Sequence, residues 1–432
     1  MNIFSYIFLA LQVFLLISGG YWFVISFFGF GKAERLSEKA PEKRFLVLVP
    51  AHNEEKVISN LIENLMELDY PKELYEVCVI ADNCTDRTAA IAGRFDATVL
   101  EHTSLPGESK GKPYAIKYAL DEFGERLLQD YDAFAVFDAD NLVTLNYLSE
   151  MNNHLCHGDR LIQCYLDSKN PNDNFITLGY AGSYYYMNRA WQLSKYRLGL
   201  GNQIGGTGFC VATEVLSEVG WTTRSLTEDL EFTTQCLLKG IRTTWSHQAR
   251  VYDEKPESFK ASCIQRLRWT RGHWDICIRY VGSLLKRFVT KGDILAFEGA
   301  LYLLNPARIL LEAMTWVLWI TFFLFRQNFF YLYPLWLWLP LSVLSYFYVV
   351  YACSADAEVK FNRIKVILCV AFLNITYIPL IFWGLMTHKD RTWVRTEHSK
   401  NITIDDHNAF EVSKVMSAVE EPEETESDCV VA

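Results

Sequence analysis

The chain has 432 residues, of which half are apolar and 15% are aromatic, and its formal net charge is −10. This length predicts two or three folding units, and the acidic balance, with no basic stripe, argues against a nucleic-acid partner. Eleven cysteines are scattered without a C-x-x-C pair, which argues against a disulfide framework and against a cysteine-rich zinc site.

The first thirty residues (1–30) form a predicted transmembrane helix. Residues 3–28 contain no charged side chain and are long enough to cross a hydrocarbon core of about 30 Å. A cleaved signal peptide is the alternative, but the segment has no positive start and no small-x-small cleavage site. By the positive-inside rule, the basic residues after this helix place the N-terminus outside and the next domain in the cytosol. These residues are Lys32, Arg35, Lys39, Lys43 and Arg44.

Residues 44–255 have the pattern of an α/β domain. Apolar runs at 45–50, 75–81, 97–100 and 134–137 predict buried strands, and apolar residues at helical spacing lie between them. Strands that alternate with helices in this way indicate βαβ units and a parallel sheet. In such sheets, ligands bind outside the carboxyl ends of the strands.

Polar clusters follow three of these strands. Asn53 and Glu54 come after the first, Asp82 after the second, and Asp138 and Asp140 after the fourth. Two carboxylates one residue apart suit a divalent cation bound against a diphosphate, although two surface aspartates after a strand are common. Three clusters at one sheet edge predict a nucleotide pocket. No Walker lysine loop or Gly-x-Gly-x-x-Gly follows the first strand, which argues against a P-loop kinase or a dinucleotide enzyme.

Three further motifs lie in the following part of the chain. The glycine cluster at 205–208 either lets the backbone approach a ligand closely or is a plain turn. Thr227 predicts a helix N-cap with Glu228 and Asp229 in the first turn, where acidic residues can also merely satisfy the helix dipole. Residues 256–292 predict amphipathic helices at the membrane surface. Their most prominent polar and aromatic residues are Gln265, Arg268 and Trp269.

Residues 293–388 form a predicted C-terminal membrane region of about three spans, or three spans and a re-entrant piece near 293–304. One span before the domain and three after it would leave the C-terminus outside, yet Lys389 and Arg391 directly follow the last span. We favour a cytosolic, largely disordered acidic tail at 389–432. The sequence thus predicts a multi-pass protein of the plasma membrane with its α/β domain in the cytosol.

The motifs at Asp82, 138–140, 227–229 and 265–269, in this order, closely resemble those of the inverting family 2 glycosyltransferases. The resemblance is strongest to the membrane-embedded processive synthases of cellulose, chitin, hyaluronan and poly-N-acetylglucosamine, and it covers about residues 44–290. It implies an α/β fold: a GT-A nucleotide-sugar transferase domain with a Rossmann-like mixed sheet, inserted between transmembrane helices.

The resemblance also implies roles on the donor side of the site. Asp82 would read the uracil, with Asn53 and Glu54 as neighbouring uridine contacts. Lys110 or Lys112 would meet the diphosphate, and the resemblance leaves open which of the two. The remaining implied donor and metal residues are Gln265 and Arg268 on the diphosphate, Asp138 beside the sugar and diphosphate, and Asp138 with Asp140 as ligands of Mg²⁺ or Mn²⁺.

On the acceptor side, Asp229 matches the general base of these enzymes. Inversion requires one carboxylate to take the proton of the attacking hydroxyl, and a helix N-terminus helps to keep Asp229 ionised. A divalent cation, Arg268 and a lysine would stabilise the charge on the departing UDP. The implied acceptor residues are Gly206, Thr207, Gly208, Phe209, Glu228 and Trp269.

The predicted reaction is therefore the inverting, metal-dependent transfer of a sugar from a UDP-sugar to a growing β-linked polysaccharide that is exported across the plasma membrane. UDP-glucose is the favoured donor and UDP-N-acetylglucosamine the next. The alternative is a non-processive transferase with a lipid acceptor, as in ceramide glucosyltransferase. A remote alternative is a transporter or receptor that carries a degenerate, non-catalytic domain.

Overall fold

The computed structural model describes residues 3–325, 335–392, 402–404 and 406. Within these residues, eight strands form one mixed sheet in the order β3-β2-β1-β4-β7-β6-β8-β5. The mixed sheet agrees with the prediction from the sequence. The strands are β1 (Phe45–Ala51), β2 (Tyr75–Asp82), β3 (Thr98–His102), β4 (Ala133–Val136), β5 (Leu142–Val143), β6 (Leu161–Ser168), β7 (Phe209–Ala212) and β8 (Thr244–Asp253).

The strand directions bring the polar clusters to one edge of the sheet. Strands β1 to β4 run in parallel in the order β3-β2-β1-β4, so their carboxyl ends meet. Strand β7 is antiparallel to β4, and Phe209 at its amino end pairs with Val136 at the carboxyl end of β4. The glycine turn before β7 therefore lies beside Asp138. Strand β6 is antiparallel to β7, and β8 lies beside β6 and is parallel to it. Strands β6 and β8 therefore run in the same direction as β4, and their carboxyl ends also lie at this edge.

Fourteen α-helices are described, and they cover both faces of the sheet. They are α1 (Ile3–Ser26), α2 (Ile58–Met66), α3 (Thr88–Ala92), α4 (Lys112–Asp130), α5 (Tyr147–Cys156), α6 (Phe175–Met187), α7 (Ser194–Arg197), α8 (Thr213–Val219), α9 (Glu228–Lys239), α10 (Phe259–Lys291), α11 (Ile294–Leu303), α12 (Asn305–Phe325), α13 (Leu335–Asp356) and α14 (Arg363–Met386). Helices α2 and α5 pack their apolar residues on one face, and α4, α8 and α9 pack theirs on the other. A π-helical segment joins α6 to α7.

The amphipathic helix predicted between residues 256 and 292 is present as α10, which is a single helix of 33 residues. Helix α10 runs along α9. Near one end of α9, Arg279 Nη1 lies 2.5 Å from Glu231 Oε1. At the other end of α9, Arg287 Nη1 donates to the Leu238 carbonyl at 2.8 Å. These two contacts hold the second half of α10 against α9.

Two described helical segments, Leu9–Gly29 and α14, are long and apolar enough to cross a membrane. Helices α11 and α12 meet at a bend of 51°, and they add a third candidate if the bent pair counts as one span. This pair includes the piece that the sequence predicted as re-entrant. Residues 326–334 of the predicted membrane region lie outside the described residues.

A buried ion pair joins the α/β domain to the end of α13. Arg189 donates from Nε and Nη2 to the Asp356 carboxylate at 2.7 and 2.5 Å, and both side chains are almost fully buried. Arg189 also donates from Nη1 to the Gly31 carbonyl at 2.8 Å, just after the first helix. This arginine therefore ties the domain to helices on both sides of it in the sequence.

Arg189→Met is expected to lower the free energy of unfolding by about 3–5 kcal/mol, because it leaves the buried Asp356 carboxylate without its main partner. Thermal unfolding of the detergent-solubilised protein measures the effect. The matched control is Arg126→Met, since Arg126 pairs with Asp130 at 3.3 Å on the exposed face of α4. Loss of such a surface pair should cost less than about 1 kcal/mol, and equal effects of the two substitutions would contradict the prediction.

Two residues that follow α14 in the sequence, Ile402 and Ile404, contact the α/β domain. The Ile404 side chain is buried against Leu142 and Tyr252, and Asn60 Nδ2 donates to the Ile402 carbonyl at 3.4 Å. The sequence predicted a largely disordered tail at 389–432. Residues 402–404 differ from that prediction because Ile402 and Ile404 pack against an apolar patch at the β5–β8 edge. The acidic run at 420–424 lies outside the described residues.

Candidate active site

The buried carboxylate of Asp82 lies at the end of β2. Its Oδ1 atom is 2.6 Å from His102 Nδ1 and accepts a hydrogen bond from Asn83 Nδ2 at 2.9 Å. The His102 ring stacks on Tyr118 of α4, with 4.4 Å between the ring centroids. The sequence did not single out His102. Its place at the end of β3 becomes informative only once β3 is known to pair with β2.

Two asparagines beside Asp82 have left-handed backbone conformations, with φ of +57° at Asn53 and +52° at Asn83. Non-glycine residues rarely adopt this conformation, and it persists where surrounding contacts enforce it. Asn53 Oδ1 accepts from the Thr85 N–H at 2.7 Å, and Asn83 Oδ1 accepts from the Ser104 N–H at 3.0 Å. The Glu54 N–H donates to Thr88 Oγ1 at 2.8 Å, so the loops after β1 and β2 are fastened together.

The two aspartates after β4 differ in exposure. The Asp138 side chain is 41% exposed and contacts the Lys112 ammonium, whereas Asp140 is only 4% exposed. Lys112 Nζ also donates to the Gly206 carbonyl at 2.6 Å. Burial alone would lower the pKa of Lys112, but nearby carboxylates, Asp138 foremost, outweigh it and raise that pKa. Lys110 is exposed, so of the two lysines it is Lys112 that the structure brings to Asp138.

Backbone groups and a buried lysine fix Asp140. Its Oδ2 atom accepts from the Glu254 N–H at 3.1 Å, and its carbonyl accepts from Lys169 Nζ at 2.8 Å. Burial lowers the pKa of Lys169 and raises that of Asp253. Lys169 and Asp253 lie at the ends of β6 and β8, which the sequence patterns did not reveal as strands. Both side chains interact electrostatically with Asp140.

The residues after β4 fit a hard divalent cation. They offer two carboxylates separated by one small residue, and Mg²⁺ is typically held by one or two carboxylates together with substrate phosphates and waters. No group of three or more histidine, cysteine, aspartate or glutamate side chains suited to a metal ion occurs in the described part of the chain. The donor set therefore suits a cation that shares its coordination with a diphosphate rather than one enclosed by protein.

The glycine turn passes beneath the acidic start of α9. Gly206 and Gly208 have φ of +83° and +62°, and a Cβ at Gly206 would lie 3.5 Å from Asp229 Oδ2. Thr207 Oγ1 accepts from the Asp138 N–H at 3.1 Å, which links the turn to the loop after β4. The Phe209 side chain is fully buried beside Trp221 in the core, so this predicted acceptor residue does not reach the site with its ring.

Glu228 and Asp229 open α9 as predicted, but the predicted capping bond is absent. Thr227 stands at the N-cap without a side-chain hydrogen bond to the helix, because Gly272 of α10 packs directly on its side chain. Glu231 fixes the preceding loop instead, accepting from the Arg224 and Ser225 N–H groups at 2.7 and 2.8 Å. Asp229 Oδ1 accepts from the Leu230 N–H at 2.8 Å, which leaves Oδ2 directed at the glycine turn.

Burial raises the pKa of both acidic groups at this helix start. The pKa of Glu228 rises to about 7, because burial and the neighbouring Asp229 outweigh Lys112. Burial also raises the pKa of Asp229, while the Leu230 N–H, Lys112 and Arg268 oppose the rise. The two carboxyls are adjacent in the sequence and both buried, and the charge on Asp229 contributes to the raised pKa of Glu228.

A carboxylate must be ionised to accept a proton, so catalysis through Asp229 is expected to fall on the acidic side at a pH above the usual range of carboxyl groups, because burial raises the pKa of both carboxyls. Glu228→Gln should move this acidic limb to lower pH, because it removes the neighbouring negative charge that holds protons on the pair. A pH–rate profile of each variant measures the shift. Glu214→Gln, an exposed carboxyl on α8, is the matched control, and identical profiles for Glu228→Gln and wild type would contradict the prediction.

Helix α10 contributes buried polar atoms that have no protein partner. Among the described residues, Gln265 Oε1 and Arg268 Nε are buried without a hydrogen bond, and such orphaned groups normally have a ligand or water. Arg268 is close enough to lower the pKa of Asp229. The Trp269 ring meets Tyr180 edge-on, with 6.2 Å between the ring centroids.

Tyr184 and Lys255 complete the wall of the site, although the sequence analysis missed both. Lys255 Nζ lies 3.4 Å from the centre of the Tyr184 ring. Burial raises the pKa of Tyr184, and Asp253, Asp229 and Asp138 raise it further. Tyr184 belongs to α6, whose apolar sequence gives no hint that one tyrosine faces the carboxylates.

The fold and this arrangement agree with the comparisons with known proteins. The family described as glycosyltransferase like family 2 matches residues 41–272, more than half of the chain. The chain therefore belongs to this family of glycosyltransferases and is an enzyme. A solved mannosyltransferase from Pyrobaculum calidifontis, in complex with GDP-Man and Mn²⁺, has the same fold, with a TM-score of 0.55 and 17% identity over 89% of this chain and 99% of that one.

Curated relatives include enzymes that make glycolipid and polymer. The chain is 30% identical over 285 residues to the beta-monoglucosyldiacylglycerol synthase of Nostoc sp., covering 62% of this chain and 58% of the relative. It is 25% identical over 293 residues to the poly-beta-1,6-N-acetyl-D-glucosamine synthase of Staphylococcus aureus, covering 64% and 68%. A probable glycosyltransferase of Bacillus subtilis is 27% identical, over 56% of this chain and 57% of that protein. The chain thus spans less than three fifths of the first and third of these relatives.

Proposed function

We propose that the protein transfers a sugar, with inversion, from a UDP-sugar to a hydroxyl acceptor that it meets at a membrane. The observation that carries the proposal is the cluster around Lys112, whose ammonium contacts Asp138 and the Gly206 carbonyl. Its Nζ lies 3.8 Å from Glu228 Oε1. Lys112 thus contacts both Asp138, on the proposed donor side of the site, and the acidic start of α9, and the glycine turn lies between these two.

In the proposed reaction, Asp229 takes the proton of the acceptor hydroxyl as the hydroxyl oxygen bonds to C1 of the sugar. The bond from C1 to the diphosphate oxygen breaks on the opposite face, and the nucleoside diphosphate leaves. Oδ2 of Asp229 suits the proton, because Oδ1 is engaged by the Leu230 N–H. Arg268 and Lys112 would hold the leaving diphosphate by charge-assisted hydrogen bonds. A divalent cation on Asp138 and Asp140 would supply further charge stabilisation.

On the donor side, we assign the base and ribose to the loops after β1 and β2. Asp82, held by His102, would hydrogen-bond the base, and Asn53 and Glu54 would border the uridine. UDP-glucose remains the favoured donor, followed by UDP-N-acetylglucosamine. GDP-mannose belongs in any screen, because the solved mannosyltransferase of the same fold holds GDP-Man.

Of the two acceptor classes that the sequence left open, we favour the lipid over the growing polysaccharide. An apolar groove of about 500 Å³ opens along the end of the first helix, and its size suits an acyl chain. The Tyr21 hydroxyl in it is buried without a hydrogen-bond partner among the described residues. The groove is lined by Gly20, Tyr21, Val24, Ile25, Phe28, Leu198 and Leu200.

The groove provides a direct test of the acceptor class. Val24→Trp is expected to lower the rate with a membrane lipid acceptor at least about 10-fold, because the indole fills the space of an acyl chain that is worth ~0.8 kcal/mol per buried CH₂. Slow donor hydrolysis by water should be unchanged. Val13→Trp, at an exposed position of the same helix outside the groove, is the matched control. Equal rates for the two variants would contradict the role of the groove.

The proposal as a whole is tested by supplying the detergent-solubilised protein with Mn²⁺ or Mg²⁺, a membrane lipid extract and one nucleotide sugar at a time. Mass spectrometry and size separation identify the product. We expect one sugar per lipid from UDP-glucose. Long polymer would instead support the processive synthase predicted from the sequence, and no transfer from any nucleotide sugar would overturn both. The non-catalytic alternative is disfavoured by the intact set of carboxylates.

We further propose that the catalytic domain faces the cytosol and that the protein resides in the plasma membrane. The basic residues that follow the first helix support this orientation. The apolar helices Leu9–Gly29 and α14 support association with a bilayer.

A further inference from the structure

Both ends of α14 are held by contacts, one with the α/β domain and the other with α10. Just before the helix, the Glu358 carboxylate lies 2.9 Å from Arg250 Nη1 and accepts from the Tyr252 hydroxyl at 2.9 Å. Just after it, Thr387 Oγ1 accepts from Arg271 Nε at 2.9 Å, and Asp390 pairs with Arg271 at 2.9 Å. These contacts reach β8 at one end and α10 at the other.

The middle of α14 is held as firmly as its ends. Three side chains of α10, those of Arg266, Thr270 and Trp274, donate hydrogen bonds to backbone carbonyls of α14. The distances are 3.0 Å to Leu373, 3.2 Å to Leu380 and 2.9 Å to Ile381. Towards the start of the helix, α6 approaches so closely that a Cβ at its Gly182 would lie 2.7 Å from Val366. One face of α14 thus packs on α6 and α10 along its whole length.

The opposite face of α14 is an exposed apolar stripe. It begins with Ile364, which is 72% exposed, passes through Ile375 at 66% and ends with Met386 at 66%. No charged residue lies between 366 and 386. The other members of the stripe are Leu368, Phe372, Phe382 and Trp383. A helix of 24 residues is about 36 Å long, so the stripe runs for more than 30 Å beside the catalytic domain.

We propose that α14 does not cross the membrane but lies in its plane, with the apolar stripe inserted into the leaflet that faces the catalytic domain. A spanning helix would have its ends separated by about 30 Å of hydrocarbon, whereas one end of α14 contacts β8 and the other contacts α10, which itself packs on α9 of the α/β domain. Amphipathic helices at the interface bury such a face among lipid headgroups and acyl chains. The stripe is a large exposed apolar patch, and a lipid leaflet accounts for it.

Charge and chain direction support the same conclusion. Lys360, Arg363 and Lys365 precede the uncharged stretch, and Lys389 and Arg391 follow it. The positive-inside rule therefore places both flanks on one side. The chain beyond α14 also returns to the catalytic domain, where Ile404 is buried. If every apolar segment of the C-terminal region is counted as a span, the C-terminus lies outside, although basic residues follow the last segment. An in-plane α14 leaves one span fewer, which places the C-terminus in the cytosol.

The inference goes beyond the proposed reaction and does not depend on the sugar or the acceptor. It also has a consequence for the site. Helix α14 rests on α10 where α10 carries Gln265, Arg268 and Trp269, and on α6 near Tyr184. An in-plane α14 holds this wall of the site at the level of the leaflet, from which a membrane-borne acceptor can enter.

Cysteine labelling tests the sidedness of the two flanks. Lys360→Cys and Lys389→Cys are prepared separately in the full chain, with Lys117→Cys on the exposed face of α4 as the reference for the catalytic domain. In sealed vesicles, a membrane-impermeant maleimide should label all three from the same side, above the wild-type background. Labelling of positions 360 and 389 from opposite sides would overturn the proposal.

Depth measurements test the same point independently. A fluorophore is attached in turn at Ile364→Cys, Ile375→Cys and Met386→Cys, all exposed positions where a label displaces no packed side chain. Nitroxide lipids with shallow and deep labels then report depth. We expect the three positions to lie at similar, shallow depths. A position 375 much deeper than both ends would indicate a span, and quenching of all three by aqueous iodide would indicate no membrane contact, so either result would overturn the proposal.

Discussion

Asp229→Asn is expected to lower kcat by about 100- to 10,000-fold, the range that a positioned general base contributes. The amide cannot accept the proton of the attacking hydroxyl, yet it keeps the shape of the carboxylate and its Oδ1 atom can still accept from the Leu230 N–H. Binding of the nucleotide sugar should change little, because Asp138, which we assign to the donor side of the site, and Asp229 lie on opposite sides of Lys112. Steady-state kinetics and calorimetric titration with UDP separate the two effects.

The matched control for this variant is Asp121→Asn. Asp121 is an exposed carboxylate of α4 that pairs with Lys117 four residues earlier, and its loss should leave kcat unchanged. If Asp229→Asn retains more than about a tenth of the wild-type kcat, another group serves as the base. Glu228 is the nearest candidate, and the pH profile of Glu228→Gln would then show it.

Removal of divalent cations is the second change with a large expected effect. A chelator should lower the rate more than about 100-fold, because a cation supplies several kcal/mol of charge stabilisation to the leaving diphosphate and about 1.4 kcal/mol is worth a factor of ten. Added Mn²⁺ or Mg²⁺ should restore the rate. Asp140→Asn should raise the concentration of Mn²⁺ needed for half-maximal activity by at least about 10-fold.

Binding of Mn²⁺ followed by electron paramagnetic resonance gives a readout that does not depend on turnover. In the presence of UDP, Asp140→Asn should weaken Mn²⁺ binding, whereas Asp130→Asn, an exposed carboxylate at the end of α4, should not. Full activity in chelator would show that Lys112 and Arg268 stabilise the leaving group without a cation. Unaltered Mn²⁺ binding in Asp140→Asn would place the cation elsewhere.

Much of the nucleotide half of the site could be predicted from the sequence, because short buried strands ending in polar residues are local features. Asp82 and the pair Asp138 and Asp140 lie at strand ends on one sheet edge, as expected. His102 and Lys169 could not be predicted, because their relevance depends on strand pairing between distant segments. Phe209 was predicted as an acceptor residue because it directly follows the glycines. The sequence could not show that its side chain lies on the face of β7 that packs in the core.

Hydropathy alone cannot distinguish a spanning helix from the in-plane helix proposed for α14. The apolar run that forms α14 is long and apolar enough for a span, and the prediction of about three spans between residues 293 and 388 rests on such criteria. What distinguishes an in-plane helix is the set of hydrogen bonds from Arg266, Thr270 and Trp274, which come from another part of the chain. Burial of Ile404 at the β5–β8 edge was equally beyond prediction, since two isoleucines in a polar tail carry no local signal.

The anomeric configuration of the transferred sugar tests the central claim most directly. Purified protein is given α-linked UDP-glucose, Mn²⁺ and the acceptor identified in the lipid screen, and the product is examined by proton NMR after a single turnover. An inverting transfer with Asp229 as the base predicts a β-linked product that is not formed by Asp229→Asn. An α-linked product, or a β-linked product formed equally well by Asp229→Asn, would contradict the account.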